Sequence, residues 1–194
     1  MAAELDKLLD QIYQLREQIE QYFKDAEQRF RYSLKDGRVA FSDTIKAEHK
    51  THRKPLLAYL LNARLSSIIS APVIYSMIVP ICLLDLMITC YQKLCFRFYR
   101  ISTVCRSEYM VNDRHKLAYL NSIEKINCAY CGYANGVIAY SREILSRTEQ
   151  YWCPIRHANR IPDAHQRYTD FCDFGDAQGY RTSLEQHRNG LKQE

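Results

Sequence analysis

The chain has 194 residues, with 27 Lys and Arg against 22 Asp and Glu, and it contains eight Cys. This length suits one or two small domains. The net charge of +5 is too small and too dispersed for nucleic-acid binding, which needs a concentrated basic patch. The mean hydropathy of −0.39 indicates that most of the chain lies in water. We expect no secretory signal and reduced cysteines, because no basic region followed by an apolar core opens the sequence.

Residues 3–35 predict a long amphipathic, coiled-coil-like helix. Apolar residues recur at alternating three- and four-residue steps, as in a coiled-coil seam. These residues are Leu5, Leu8, Ile12, Leu15, Ile19, Tyr22 and Ala26. Two interpretations are open: the helix packs against the rest of the protein, or it binds a second copy or a membrane-protein partner. Asp36-Gly37 ends the helix, and residues 36–55 form a polar, basic linker.

Residues 56–91 form the predicted membrane segment. The 27 residues from Leu65 to Tyr91 carry one charge, Asp85. A bilayer core about 30 Å thick needs about 20 apolar residues in a helix, so this stretch is long enough. An ionisable group at membrane depth usually faces protein or water, so Asp85 lies either near the interface or at a functional position. The alternative for the whole segment is a core helix of a soluble protein.

Pro72 and Pro80 interrupt this segment and leave two topologies open. Either one kinked helix from about residue 66 to 91 crosses the bilayer, or Leu56–Ser70 and Val73–Tyr91 form a re-entrant hairpin. Basic residues flank the segment on both sides, and such residues prefer the cytoplasmic side. We therefore expect the hairpin, with the soluble parts facing the cytoplasm. The flanking residues are Arg53, Lys54, Lys93, Arg97 and Arg100.

A small cytosolic, Cys/His-rich helical domain is predicted over residues 106–190. Helical patterns cover residues 113–127 and 137–151. Asn135-Gly136 is a typical turn sequence and predicts a break between them.

Two close-spaced pairs of ligand residues suggest a structural zinc site. Cys128 and Cys131 form the first pair, and Cys153 and His157 the second, as in many zinc-binding domains. The helix between the pairs is predicted to be about 22 Å long, so the pairs meet only if the chain doubles back after it. Iron is the alternative metal.

A second grouping takes Cys153, His157, His165 and Cys172, which lie close together in a loop-rich stretch of the kind that often needs a metal staple. Two non-metal interpretations remain. The cysteines are small buried side chains, or the Cys128 pair is a redox dithiol at a helix N-terminus.

Three sequence elements resemble a family of bacterial membrane-associated proteins whose activity is unknown. They are APVIYSMIVPICLLDL, DRHKLAYLNSIEKINCAYCGYANG and EQYWCPIRH. The likeness covers about residues 65–160. It implies a bacterial origin and membrane association, and it implies no mechanism.

The sequence thus predicts a mainly α protein of the bacterial inner membrane, bound to the lipid bilayer. The expected function is that of a membrane-anchored binding or accessory protein with a structural zinc-type site. The alternative is a redox enzyme or electron carrier that uses the Cys cluster at the membrane surface. No nucleotide-binding, nucleophile-elbow or metalloprotease motif is present in the sequence.

Overall fold

A computed structural model describes residues 2–35 and 38–192; the side chains of residues 2–10, Leu34, Lys35 and Arg38 lie outside the description. The described chain is mainly helical. It divides into two compact units. The first unit comprises residues 1–62 and 113–126, and the second comprises residues 63–112 and 127–194.

The first unit combines helices with a small β-hairpin. Its elements are α1 (Ala2–Phe30), β1 (Tyr32–Lys35), β2 (Arg38–Phe41), α2 (Asp43–Thr51), α3 (Leu56–Leu61) and a 3₁₀ turn at Arg114–Lys116. Arg31 has a φ of 53°, and this left-handed conformation ends α1 and turns the chain into β1. The strands pair antiparallel, with Tyr32 opposite Phe41.

The stretch for which the sequence indicates a polar linker contains β2 and α2. The Ser42 hydroxyl caps α2 by accepting a hydrogen bond from the N–H of Ile45 at 3.4 Å. Asp36 and Gly37, which predict the end of the first helix, lie outside the described residues.

The second unit is built on a long apolar helix and on α8. Its elements are α4 (Leu65–Ser76), α5 (Ile78–Tyr91), a π-helical turn (Gln92–Phe96), α6 (Arg97–Tyr99), α7 (Arg106–Tyr109), α8 (Ser122–Trp152, whose first five residues belong to the first unit), a 3₁₀ turn (Gln166–Asp170) and α9 (Ala177–Gly190). The stretch from Leu65 to Tyr99 forms one continuous helical run of 35 residues.

This run confirms the single long helix, and the predicted hairpin is wrong. α4 continues through Pro72, so no turn joins Ser70 to Val73. The proline removes one backbone hydrogen bond and does not reverse the chain. The irregularity lies instead at Met77, between α4 and α5. Pro80 explains its position, because a proline in the first turn of a helix lacks only an N–H that has no partner there.

A buried glutamine, Gln92 in the π-helical turn, anchors the chain directly after α5. The Gln92 side chain accepts a hydrogen bond from the N–H of Val104 at 2.9 Å and donates one to the C=O of Val104 at 3.2 Å. It also donates to the hydroxyl of Tyr140. These bonds satisfy irregular backbone that would be costly to bury unpaired. The surrounding core contains Ile88, Phe96, Ile101, Val104, Tyr140, Ile144 and Leu191.

α8 replaces the two shorter helices that the sequence predicts. It starts at Ser122 because Asn121 and Glu124 form a capping box: the Asn121 side chain accepts from the N–H of Glu124 at 3.0 Å, and the Glu124 carboxylate accepts from the N–H of Asn121 at 2.8 Å. It then runs through Asn135 and Gly136 without a break. The predicted turn at this position is wrong.

The glycines of α8 permit a close backbone contact instead of a turn. A Cβ atom on Gly136 would lie 2.6 Å from the carbonyl oxygen of Tyr109, and one on Gly132 would lie 3.2 Å from that of Val111. Glycine at 136 therefore lets the end of α7 lie directly on this face of α8, and Gly132 makes room for the residues that follow.

We expect Gly136→Ala to lower the free energy of unfolding by about 1–3 kcal/mol, because the methyl group would overlap the backbone of Tyr109. Gly132→Ala has more room and should cost less. Gly190→Ala is the matched helical control, since its Cβ would meet the nearest atom, in Gln150, at 3.7 Å. Denaturant unfolding in detergent gives the comparison. Equal stabilities for the Gly136 and Gly190 variants would contradict the close contact.

Candidate membrane-binding helix

The most prominent surface feature of the second unit is the apolar helix Leu65–Tyr99. Its most apolar 18-residue stretch has a mean hydropathy of 2.2, and 6% of that stretch is buried. α4 has no buried residue, and α5 has one, Ile88. The core helix of a soluble protein is mostly buried, so the exposure disfavours that interpretation. The helix is long and apolar enough to cross a membrane.

The single charge of the apolar stretch, Asp85, is paired. The Arg106 guanidinium donates to both of its carboxylate oxygens, from Nε at 3.0 Å and from Nη2 at 2.6 Å. The Tyr133 hydroxyl donates a third hydrogen bond at 2.9 Å. Partial burial, together with the contacts to Cys82 and Asp85, raises the pKa of Tyr133 well above its ordinary value, so the tyrosine stays protonated and remains a donor. Arg106 neutralises the Asp85 carboxylate and Tyr133 adds a hydrogen bond to it; without them this charge would be costly beside lipid.

This polar cluster joins three separate parts of the chain. Asp85 comes from α5, Arg106 from α7 and Tyr133 from α8. The sequence singles out Asp85 but gives no sign of its partners, which lie 21 and 48 residues further along. Only the path of the chain over the glycines of α8 brings Arg106 back to the apolar helix.

A second ionic cluster in the same unit is centred on Glu143 of α8. Arg147 and Arg167 both donate to one carboxylate oxygen of Glu143, at 2.8 and 2.9 Å, and all three side chains are mostly buried. Burial opposes ionisation of Glu143, but the hydrogen bonds from the two arginines outweigh it and hold its pKa below the ordinary value. Arg147 also donates to the C=O of Ser102 at 2.7 Å, so the cluster ties α8 to two loops.

The structure does not bring together the four residues of the first zinc prediction. Cys128 and Cys131 lie within α8, whereas Cys153 follows its last residue. The helix is continuous, so Cys131 and Cys153 are about 33 Å apart at 1.5 Å per residue. The Cys128 pair also lies two turns inside the helix, away from the N-terminal position that favours a thiolate.

The second grouping has other partners. The Cys172 sulfur lies 3.1 Å from the Ser183 hydroxyl. The His165 ring nitrogen Nε2 lies 2.9 Å from a Glu149 carboxylate oxygen. His157 stacks on the ring of Tyr168. Cys153 is exposed.

Among the described side chains, those of residues 11–33 and 39–192, no group of three or more Cys, His, Asp and Glu residues is arranged to hold a metal ion. Zinc or iron binding stays a prediction for which the described residues offer no assembled site.

The first unit contains an open apolar pocket with a volume of about 530 Å³. This volume falls in the usual range of small-molecule pockets. Its aromatic walls are Phe23, Phe30, Tyr32, Phe41, His49 and Tyr119. The His49 ring packs edge-on against Phe41 and Tyr119, with centroid distances of 5.2 and 5.4 Å. The walls come from segments that are distant in sequence, so no local pattern indicates this pocket.

The chain matches no family model, and searches of curated proteins and of solved structures give no significant match.

We expect a double-mutant cycle on Asp85→Ala and Arg106→Ala to give a coupling energy of about 1.5–3 kcal/mol, the range for hydrogen bonds to charged groups. The exposed Arg142–Asp163 pair, at 3.1 Å, is the control and should couple by less than about 1 kcal/mol. Unfolding in detergent supplies all the free energies. Equal coupling in the two cycles would show that the Asp85 contact is an ordinary surface pair.

We expect Glu143→Gln to lower the free energy of unfolding by about 3 kcal/mol, because two mostly buried guanidinium groups lose their shared carboxylate. The folded-state pKa of Glu143 is depressed, so its stabilisation is present above the ordinary value of 4.5 and is lost as the pH falls through the folded pKa. The wild type should therefore lose more stability on acidification than the variant does.

The control for this change is Glu185→Gln, which breaks an exposed pair with Arg188 at 2.7 Å. It should cost less than about 1 kcal/mol. Urea unfolding at several pH values between 3 and 7, a range chosen around the ordinary carboxylate pKa, provides the measurement. Parallel pH profiles for wild type and Glu143→Gln would contradict the assignment.

Proposed function

We propose that this chain is a membrane-anchored binding or accessory protein, held at a lipid bilayer by the helix Leu65–Tyr99. The observation that carries the proposal is the apolar surface that this helix leaves uncovered. α4 is bare around its whole circumference apart from the partly covered Ala71, and α5 packs along one stripe and exposes Val79, Leu83 and Met87 on the other side. Burial of apolar area is the main favourable term in binding to an acyl-chain environment.

The ends of the apolar region suit the headgroup layer. After Tyr91, exposed Leu94 and Phe98 alternate with Lys93 and Arg97, a mixture that favours the membrane–water interface. Basic side chains near the surface are attracted to anionic lipids by about 1 kcal/mol each. α3 adds exposed apolar residues, Leu57 and Leu61, directly after the basic pair Arg53 and Lys54.

A bacterial inner membrane, with the soluble parts on the cytoplasmic side, remains part of the proposal. All eight cysteines are free, and free thiols are typical of a reducing compartment. Basic residues at both ends of the apolar region agree with a cytoplasmic location of both ends.

The binding role is assigned to α1. Ile12, Leu15, Ile19 and Tyr22 of its predicted seam are all exposed, so the seam does not pack on the chain itself. Leu5 and Leu8 precede the described side chains. The exposed part of the seam, from Ile12 to Tyr22, suits a second copy or a helical partner. No contact of the described cysteines favours the redox alternative.

We expect Val79→Lys to release the protein from membranes, because the charged group of a lysine is costly where the exposed Val79 side chain would contact acyl chains. Val79 is 68% exposed, so the new side chain meets little of the protein itself. Phe174→Lys is a matched control, since Phe174 is equally exposed, at 68%, in a loop outside the helix.

The measurement is the fraction of each variant in the membrane pellet after an alkaline carbonate wash, with circular dichroism as the check on folding. Wild type and Phe174→Lys should stay in the pellet, whereas Val79→Lys should move to the supernatant. A wild-type protein that is washed off, or a Val79→Lys variant bound as firmly as the control, would exclude anchoring by this helix.

A further inference from the structure

We infer that the apolar helix Leu65–Tyr99 binds the bilayer from one side and does not carry the chain across it. The partner surface is the headgroup and upper acyl-chain layer of a single leaflet. This inference rests on the proposed membrane anchoring and adds its topology.

Packing inside the first unit joins the chain before the apolar helix to the chain after it. Residues up to Asn62 precede the apolar helix, and residues from Asp113 follow it, yet they fold together as one compact unit. The His49 ring of α2 lies 5.4 Å from the Tyr119 ring, and both rings line the same pocket. Segments in direct contact lie on the same side of a membrane. One crossing by the helix would place them on opposite sides.

A second crossing would restore the contact, but the intervening chain is unsuitable for it. Only 13 residues, Arg100 to Asn112, lie between the helix and Asp113, whereas a returning helix needs about 20. Their one helical turn, α7, has four residues, and Arg100 and Glu108 are exposed. Lipid does not tolerate exposed charges or irregular backbone at this depth. The number of crossings is therefore zero.

The charges at the two ends of the uncharged stretch Leu65–Leu84 fix how the helix lies. Arg64 precedes α4, and the Asp85–Arg106 pair follows 20 uncharged residues later, with the Arg106 side chain 44% exposed. Both charged ends belong at the headgroup level. A helix that does not cross can meet this condition only by lying along the surface. Ser66, Ser67 and Ser70 share one face of α4 and give it a polar side towards the headgroups.

The experiment places one new cysteine on each side of the helix in the chain. Ala47→Cys lies in α2 and Lys116→Cys lies in the 3₁₀ turn after Asp113, and both positions are exposed. Each full-length variant is expressed in bacteria and treated with a membrane-impermeant maleimide in spheroplasts and in inverted inner-membrane vesicles. Mass spectrometry of the labelled peptides distinguishes the new cysteines from the native ones.

We expect both positions to be labelled in the same preparation and protected in the other. Detergent-solubilised protein is the control and should be labelled at both. If the protein is in the membrane and the two positions are labelled in different preparations, the one-sided topology is overturned while the anchoring proposal stands. If the wild-type protein is recovered in the supernatant, both are overturned.

Discussion

The second unit depends on the close approach of the segment after α7 to α8, which Gly132 and Gly136 permit. The Gln92 side chain first holds the chain at Val104. The glycine contact then lets the residues that follow run along the surface of α8. Arg106 is thereby placed where it can neutralise Asp85, and Tyr133 completes the cluster. Without the glycines, a carboxylate would remain on an apolar surface with no counter-charge, which is among the costliest arrangements next to lipid.

In the same unit, buried charged groups are paired, whereas the most apolar side chains are left exposed. Two of its mostly buried carboxylates, Asp85 and Glu143, receive bidentate or paired arginine contacts. Most apolar residues on α4 and on the outer face of α5 are exposed, and α4 has no buried residue. A soluble protein normally buries its most apolar helix first, because that burial is its main source of stability. The imbalance makes sense if lipid supplies the missing contacts.

Periodicity and composition predicted the elements whose signals are local. The a/d pattern predicts α1, and the long uncharged run predicts the apolar helix. Predictions failed where one residue type has two physical uses. Glycine at 136 marks a close helix contact here and a turn elsewhere, and Pro72 lies inside a continuous helix where the hairpin prediction placed a chain reversal. The partners of Asp85 and the aromatic pocket were beyond sequence reasoning, because they depend on contacts between residues far apart in the chain.

The one-sided topology is supported more strongly by the packing of the first unit than by the charges that flank the apolar segment. Basic residues at both ends of an apolar segment indicate where its ends lie, and they do not distinguish a hairpin from a helix lying along the surface. A hairpin and a helix lying along the surface are both compatible with the flanking basic residues. The contact of His49 with Tyr119 supports the same sidedness independently, because it joins the chain before the helix to the chain after it. With the helix continuous from Leu65 to Tyr99, lying along the surface is the arrangement that satisfies both observations.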